Sequence, residues 1–264
     1  MEYTWVEELA AGGAIRPGGV VISAFPSAGL ATTVAGHYMI RALKIPRVGR
    51  FESPEIAPVA VIQAGEVHPT VRVYGREDLA LVLSEFPPTP AQANGLARTI
   101  LGGAELRKSR LIICLEGVVP HPTDGEEEGS TPSVTPDEQV WAAFSRTDPA
   151  LRKSFEEAHV RSLEDGVIGG VSGALLVQGI AGSIPVATLL VSARVAEGLP
   201  DHRAGAALIE TLDRLLPELK IDTKPLREQA EQIERALRSV MKNRPGEPRP
   251  ESHDSPPGPT EMYG

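Results

Sequence analysis

The sequence predicts an α/β fold: a three-layer sandwich with helices on both faces of a mixed, mostly parallel sheet. Three observations carry this. Short runs rich in Val, Ile and Leu alternate with longer segments whose apolar residues recur at helical spacing. One of the short runs, "IPVATLLVS", is apolar almost throughout, as a strand covered on both faces must be. The chain has 264 residues, 41% hydrophobic and 23% charged, enough to bury a substantial core in one large α/β domain.

The elements follow in order. "GGVVISAF" is a β-branched run ended by Pro26 and Gly29, a first buried strand. "LATTVAGHYMIRALK" has helical spacing, which places "PSAG" at a strand-to-helix turn. "VAVIQ", "TVRVYG" and "LALVLS" are three further strand candidates, separated by turn or polar residues. "PPTPAQANGLARTILGGAELRK" opens on proline and continues as a helix, and "RLIICLEGV" is a central strand. The stretch "VPHPTDGEEEGSTPSVTPDEQ" is rich in Pro, Thr, Ser and acids and is expected to be an exposed excursion. "QVWAAFS" is the next strand candidate, and "DPALRKSFEEAHVRSL" a helix capped by Asp148. "GGVSGALLVQGIAG" is expected as a helix packed closely on the sheet, and "IPVATLLVS" as a buried strand after it. "LPDHRAGAALIETLDRLLPEL" is a helix with Asp201 as its N-cap. The last helix lies in "IDTKPLREQAEQIERALRSVMKN", with Thr223 as cap candidate and Leu226, Ala230, Ile233, Leu237 and Val240 along one face. The expected organisation is a single domain over 1–242 and a Pro-rich tail over 243–264.

Composition excludes several functions. A net charge of −9 without a Lys/Arg cluster argues against nucleic-acid binding, and 4% aromatics leave little for a base-stacking platform. The lone Cys114 rules out an internal disulfide framework and fits a reducing compartment; it reads as a small buried apolar residue rather than a nucleophile. The N-terminus, "MEYTWVEELAAGG", has no signal-peptide run, and a cytoplasmic location is expected. The uncharged stretch between Asp165 and Arg194 is long enough to span a bilayer, but its repeated glycines, Gln178 and Pro185 suit a turn between two buried elements.

No catalytic set emerges. The "FPSAGLA" turn could offer backbone N–H groups to a phosphate, yet it lacks both the dinucleotide fingerprint and the Gly-Lys-Ser/Thr ending of a P-loop. Ser27 is not in a Gly-x-Ser-x-Gly elbow, so a packing turn is the better description. The six histidines, 37, 68, 121, 159, 202 and 253, show no metal-ligand spacing. His121 and Asp124 in "PHPTDG", and the acids of "DGEEEG", fit solvated turns better than a metal site. No cofactor and no metal are expected.

The end of the chain raises a different question. From Arg244 to Thr260 there is no Val, Ile, Leu, Met, Phe, Tyr, Trp or Cys, while Pro recurs at 245, 248, 250, 256, 257 and 259. Such a segment is expected to be disordered, because it cannot bury enough apolar surface to offset its ordering entropy. Yet it finishes on Met262-Tyr263-Gly264, an apolar residue and an aromatic with no use in a solvated tail.

The chain resembles the proteasome assembly chaperone family, in its archaeal-type homomeric branch. The resemblance lies in "ISAFPSAGLATTVAGHYMIRALKIPRVGRFES", in "LIICLEG", and in the long block from "VSGALLVQGIAGSIPVATLLVSA" to "LREQAEQIERAL". It departs at the first turn, where the family is typically glycine-richer, of the form "GxGxVG", and this chain has "PSAGLA". The resemblance implies a purine nucleoside phosphorylase-like fold without that activity, oligomerisation, and binding to proteasome subunits. It also gives the tip a meaning: Met262, Tyr263 and Gly264 match the hydrophobic-Tyr-any residue (HbYX) ending of proteins that dock in pockets of the proteasomal α-ring. Such a pocket can hold a terminal carboxylate with a lysine. Tyr263 brings an amphipathic ring and Met262 an adaptable apolar group. A Pro-rich tether from 244 to 260 could extend about 50 Å at ~3.1 Å per residue. The implied role is that of assembly chaperone, ATP-independent activator of the core particle, or both. Its partners would be α-subunits and further copies of the chain or a paralogous chaperone subunit, with no nucleic acid and no membrane. The alternative is an enzyme or binding protein for a nucleoside or phosphate-bearing ligand at the "FPSAGLA" turn.

Overall fold

Val20 to Ala24 lie buried along their whole length, as a strand flanked by strands and covered on both faces requires. The computed structural model describes residues 3–8, 16–119, 139–146, 148–195 and 199–242. The chain divides into two units, Met1–Ala230 and Glu231–Gly264. In order, the described elements are β1 (Thr4–Glu7), β2 (Val20–Ala24), a 3-10 turn (Ala28–Leu30), α1 (Ala31–Leu43), β3 (Arg47–Glu52), β4 (Val61–Gln63), β5 (Glu66–His68), β6 (Val71–Arg76), β7 (Leu79–Ser84) and α2 (Pro90–Leu106). There follow β8 (Leu111–Val118), β9 (Val140–Phe144), α3 (Pro149–Glu157), β10 (Arg161–Ser162), α4 (Gly170–Gly179), β11 (Val186–Ser192), α5 (His202–Leu215) and α6 (Lys224–Lys242).

Nine of the described strands form one mixed sheet in the order β1-β3-β6-β7-β2-β8-β11-β9-β10. Its centre, β7-β2-β8-β11, is parallel. Strands β1, β3 and β6 join antiparallel on one side; on the other β9 runs antiparallel to β11, and β10 parallel to β9. Parallel pairing is therefore concentrated where both faces are covered, and antiparallel pairing predominates towards the flanks.

Alternation along the strands builds two cores. Val20, Ile22 and Ala24 of β2 and Leu111, Ile113 and Leu115 of β8 face α1, α3, α5 and the start of α6. Val21, Ile112 and Cys114 face α2 and α4. The expected three layers are thus present, and each fully buried Leu or Ile contributes about 1.5–3 kcal/mol through the apolar surface it removes from water. Gly179 lets α4 approach the sheet: a Cβ there would come 2.6 Å from Val186 Cγ2. The uncharged 166–193 stretch is accordingly helix, turn and strand, and no described helix is long and apolar enough to cross a membrane.

The two expected aspartate caps are in place. Asp148 Oδ1 accepts from the N–H groups of Ala150 and Leu151, and Asp201 Oδ1 from those of Arg203 and Ala204. Thr89 and Gln92 form a capping box ahead of α2. At α6 the Thr223 carbonyl accepts from Leu226 and Arg227. Leu226 and Ala230 are buried, whereas the side chains of Leu237 and Val240 lie outside the described residues. In the second unit, Glu231 and Arg235 pair one turn apart on α6.

Two expectations are corrected. The helix from Asp148 ends at Glu157 instead of continuing to Leu163, because His159 takes a left-handed φ of 61° and the Val160 N–H turns back to Phe155 O. This is a Schellman end at a residue other than glycine, and the chain then pairs as β10. The strand in "VAVIQ" is short and stands outside the main sheet, in a hairpin with β5. Strands β1 and β3 were not foreseen; Gly49 permits their pairing, since a Cβ there would lie 2.6 Å from Val6 O.

Candidate functional site

The sequence-predicted site residues Met262, Tyr263 and Gly264 lie outside the described residues, as do His121, Asp124 and the acids at 126–128. Among the described residues, no three His, Cys, Asp or Glu side chains converge as a metal site would require.

The "FPSAGLA" turn is consumed by packing. Ser27 Oγ accepts from the Gly117 N–H at 2.8 Å and donates to Thr32 Oγ1 at 3.2 Å, while the Thr32 hydroxyl donates to Phe25 O at 2.6 Å. Gly29 has φ 62°, and its carbonyl accepts from the Asp201 N–H at 2.7 Å. Asp201 in turn accepts from the Arg194 N–H at 2.8 Å, so one carboxylate both caps α5 and ties its start to the end of β11. A Cβ on Gly29 would sit 2.6 Å from Arg194 O, and one on Gly117 would sit 2.4 Å from Ala28 O. The close approach is that of backbone to backbone, as a packing turn requires.

The polar chemistry of the centre lies on the α2–α4 face instead. Cys114 of β8 is fully buried, and burial pushes its thiol up to about 12, which removes it as a nucleophile at neutral pH. Two residues further on, Glu116 accepts a hydrogen bond of 2.7 Å from the Ser172 hydroxyl in the first turn of α4. Burial pushes the Glu116 carboxyl up to about 7, against the opposing effect of that hydrogen bond. Both residues line a pocket of about 310 Å³ beyond the carboxyl ends of β2, β8 and β11.

This position follows from topology. Strand β2 leads through α1 to β3 on one side of the sheet, whereas its neighbour β8 leads to β9 on the other. Adjacent parallel strands whose connections part in this way leave a crevice at their carboxyl ends, the usual ligand position in open α/β sheets. Sequence reasoning quoted Glu116 within a strand without singling it out. The available signal was an acid closing an otherwise apolar run, "LIICLEG".

A fully buried charged side chain lies on β6. Arg72 is 0% exposed and pairs with Glu85, whose Oε1 is also 3.0 Å from His37 Nε2. Burial opposes ionisation of Glu85, but the His37 hydrogen bond and the Arg72 charge outweigh it and hold the carboxyl below its ordinary range. Among the described residues, Arg72 Nε and Nη1 have no hydrogen-bond partner.

The comparisons with known proteins agree with this architecture. The profile of the PAC2 family matches residues 21–241. An uncharacterized protein of Methanocaldococcus jannaschii is 28% identical over 221 residues, 84% of each chain. Among solved structures, Pyrococcus furiosus PbaA, described as an archaeal homolog of proteasome-assembly chaperone, is similar with a TM-score of 0.75 and 23% identity, over 92% of each chain. Pyrococcus furiosus PbaB, described as an archaeal proteasome activator, is similar with a TM-score of 0.71 and 22% identity, over 91% of this chain and 99% of its own. At these identities the structural likeness shows the fold.

Proposed function

The chain belongs to the PAC2 family, and from that premise we propose that it is a non-enzymatic protein that binds the proteasome core particle, as an assembly chaperone, an ATP-independent activator, or both. Docking is through Met262, Tyr263 and the Gly264 carboxylate in pockets of the α-ring, carried on a disordered Pro-rich tail that begins at 243. The folded region over 1–242 forms the oligomer that presents several tails at once. The observation that carries the reading is the conjunction of a family match over 21–241 with a chain that ends on Met-Tyr-Gly after a stretch without large apolar residues. The fold shared with PbaA and PbaB supports it. The consumption of the "FPSAGLA" turn in packing removes the main support for a phosphate-handling enzyme at that turn.

The test is binding of the purified full chain to the matching core particle and to its isolated α-subunits, compared with a variant ending at Met262, with peptide hydrolysis measured alongside. The expected outcome is loss of binding on removal of Tyr263 and Gly264, with loss of any stimulated hydrolysis. Binding that survives truncation moves the interface to the folded region and favours an assembly role. No binding by either version overturns the proposal.

A further inference from the structure

Among the described residues that line the crevice at the ends of β2, β8 and β11, Glu116 is the one titratable group. Apolar side chains line much of it: Phe25 and Pro26 after β2, Val118 of β8, Val171 of α4 and Leu190 of β11. Leu190 stands beside Glu116 in the parallel register, so it packs on the same face of the sheet. The Ser172 hydroxyl occupies Glu116 Oε2, and Oε1 has no partner among the described residues. An acid has thus been placed at the bottom of a largely apolar hollow, with one oxygen oriented by a serine and the other left for something else.

We propose that this crevice binds a small primary amine with an apolar body, its ammonium group on Glu116 and its hydrocarbon part against Phe25, Pro26 and Leu190. The pocket, at about 310 Å³, stands at the lower end of small-molecule sites and suits a body of the size of one amino-acid side chain. A buried carboxylate is expensive in free energy when unpaired, so a cation that reaches it gains a charge-assisted hydrogen bond in a site of low polarity. The rival ligand is an anion at the start of α4, where Gly169 supplies no side-chain cap. An anion there would have to share the crevice with Glu116, and two like charges in one hollow disfavour each other. Among the described residues, Ser172 on α4 donates to Glu116; Cys114, two residues earlier on β8, stays neutral beside the uncharged Ser23 and Thr188; and Glu85, after β7, is engaged by Arg72 and His37. None among the described residues that line the crevice supplies a positive charge.

The test uses the full chain and three probes of one shape: 3-methylbutylamine, 3-methylbutanol and 3-methylbutanoate. At pH 8 the amine is expected to raise the thermal midpoint saturably, the alcohol to act far more weakly, and the carboxylate not at all. Glu116→Gln should abolish the response to the amine while leaving the midpoint without ligand unchanged or higher. If that variant does not fold, the intact chain still decides, because amine affinity should fall about tenfold for each pH unit below 7 as the carboxyl takes up its proton. No saturable shift, an undiminished shift in Glu116→Gln, an affinity independent of pH, or stabilisation by the carboxylate in place of the amine would each overturn the proposal. The test involves neither the tail nor the proteasome, so its failure leaves the reading of Met262, Tyr263 and Gly264 untouched.

Discussion

Arg72 keeps its charge at a position from which solvent is excluded, so its energetic sign depends on Glu85 and on His37 behind it. Removing one partner of such a pair strands the other, which typically costs 3–5 kcal/mol, whereas replacing both by apolar groups of similar volume is often neutral. Glu85→Ala is accordingly expected to lower the unfolding free energy by about 3 kcal/mol, and the double variant Arg72→Met, Glu85→Ala by less than half of that, both read from urea denaturation. The acid limb follows from the direction of the Glu85 shift. Its folded-state value is depressed, so its stabilisation is complete above the ordinary glutamate value near 4.3 and disappears as pH falls through the folded value. Glu85→Ala should flatten that part of the pH profile. None of this was legible in "TVRVYG": an arginine in an alternating strand looks like its solvated face, and only the strand's place inside the sheet, between β3 and β7, turned that face inward. Glu116 was hidden for the same reason, because a polar residue near the end of a strand can be solvent-facing or line a crevice depending on where the neighbouring strands end.

Elements announced by side-chain chemistry were found where the sequence placed them. Asp148 and Asp201 cap their helices through hydrogen bonds that the local sequence alone can make, as Thr89 does at α2, where the sequence reading named no cap. Helix ends were less legible, since α1, α2 and α3 stop at Lys44, Lys108 and His159, each with a positive φ where glycine is usual. A non-glycine residue in that conformation carries a steric penalty of about 1 kcal/mol or somewhat more. His159→Gly should therefore raise the unfolding free energy by about 0.5–1 kcal/mol, less than the full penalty because glycine also loosens the unfolded chain. A thermal or urea transition reads this directly, and an unchanged or lower midpoint would mean that the His159 side chain makes a compensating contact. Strands β1 and β3 escaped for the opposite reason: they are short, half-buried and carry Arg and Glu, so that no hydrophobic alternation marks them, and it is pairing with each other and with β6 that makes them strands.

At the scale of the whole molecule, a tail that docks in one pocket and an oligomer that carries several make separable predictions. Under the proposed function, a synthetic peptide of residues 243–264 should compete for the core particle about 10²–10⁴-fold more weakly than the intact protein, because linkage converts later contacts into intramolecular ones. Equal potency would show that a single tail does all the binding and that oligomerisation adds nothing to affinity. What the sequence by itself determined is everything that depends on neighbours along the chain. It specified the alternation of buried strands with helices, the side-chain caps, and an ending of Met262, Tyr263 and Gly264 beyond a stretch with no large apolar residue. What only the tertiary structure decided depends on neighbours in space. The order β7-β2-β8-β11 sets the divergence of β2 from β8, and with it a crevice that contains Glu116 and Ser172, 56 residues apart in sequence. Periodicity and capping are local interactions that a short segment already expresses, whereas burial of a charge is settled only when distant strands have closed around it.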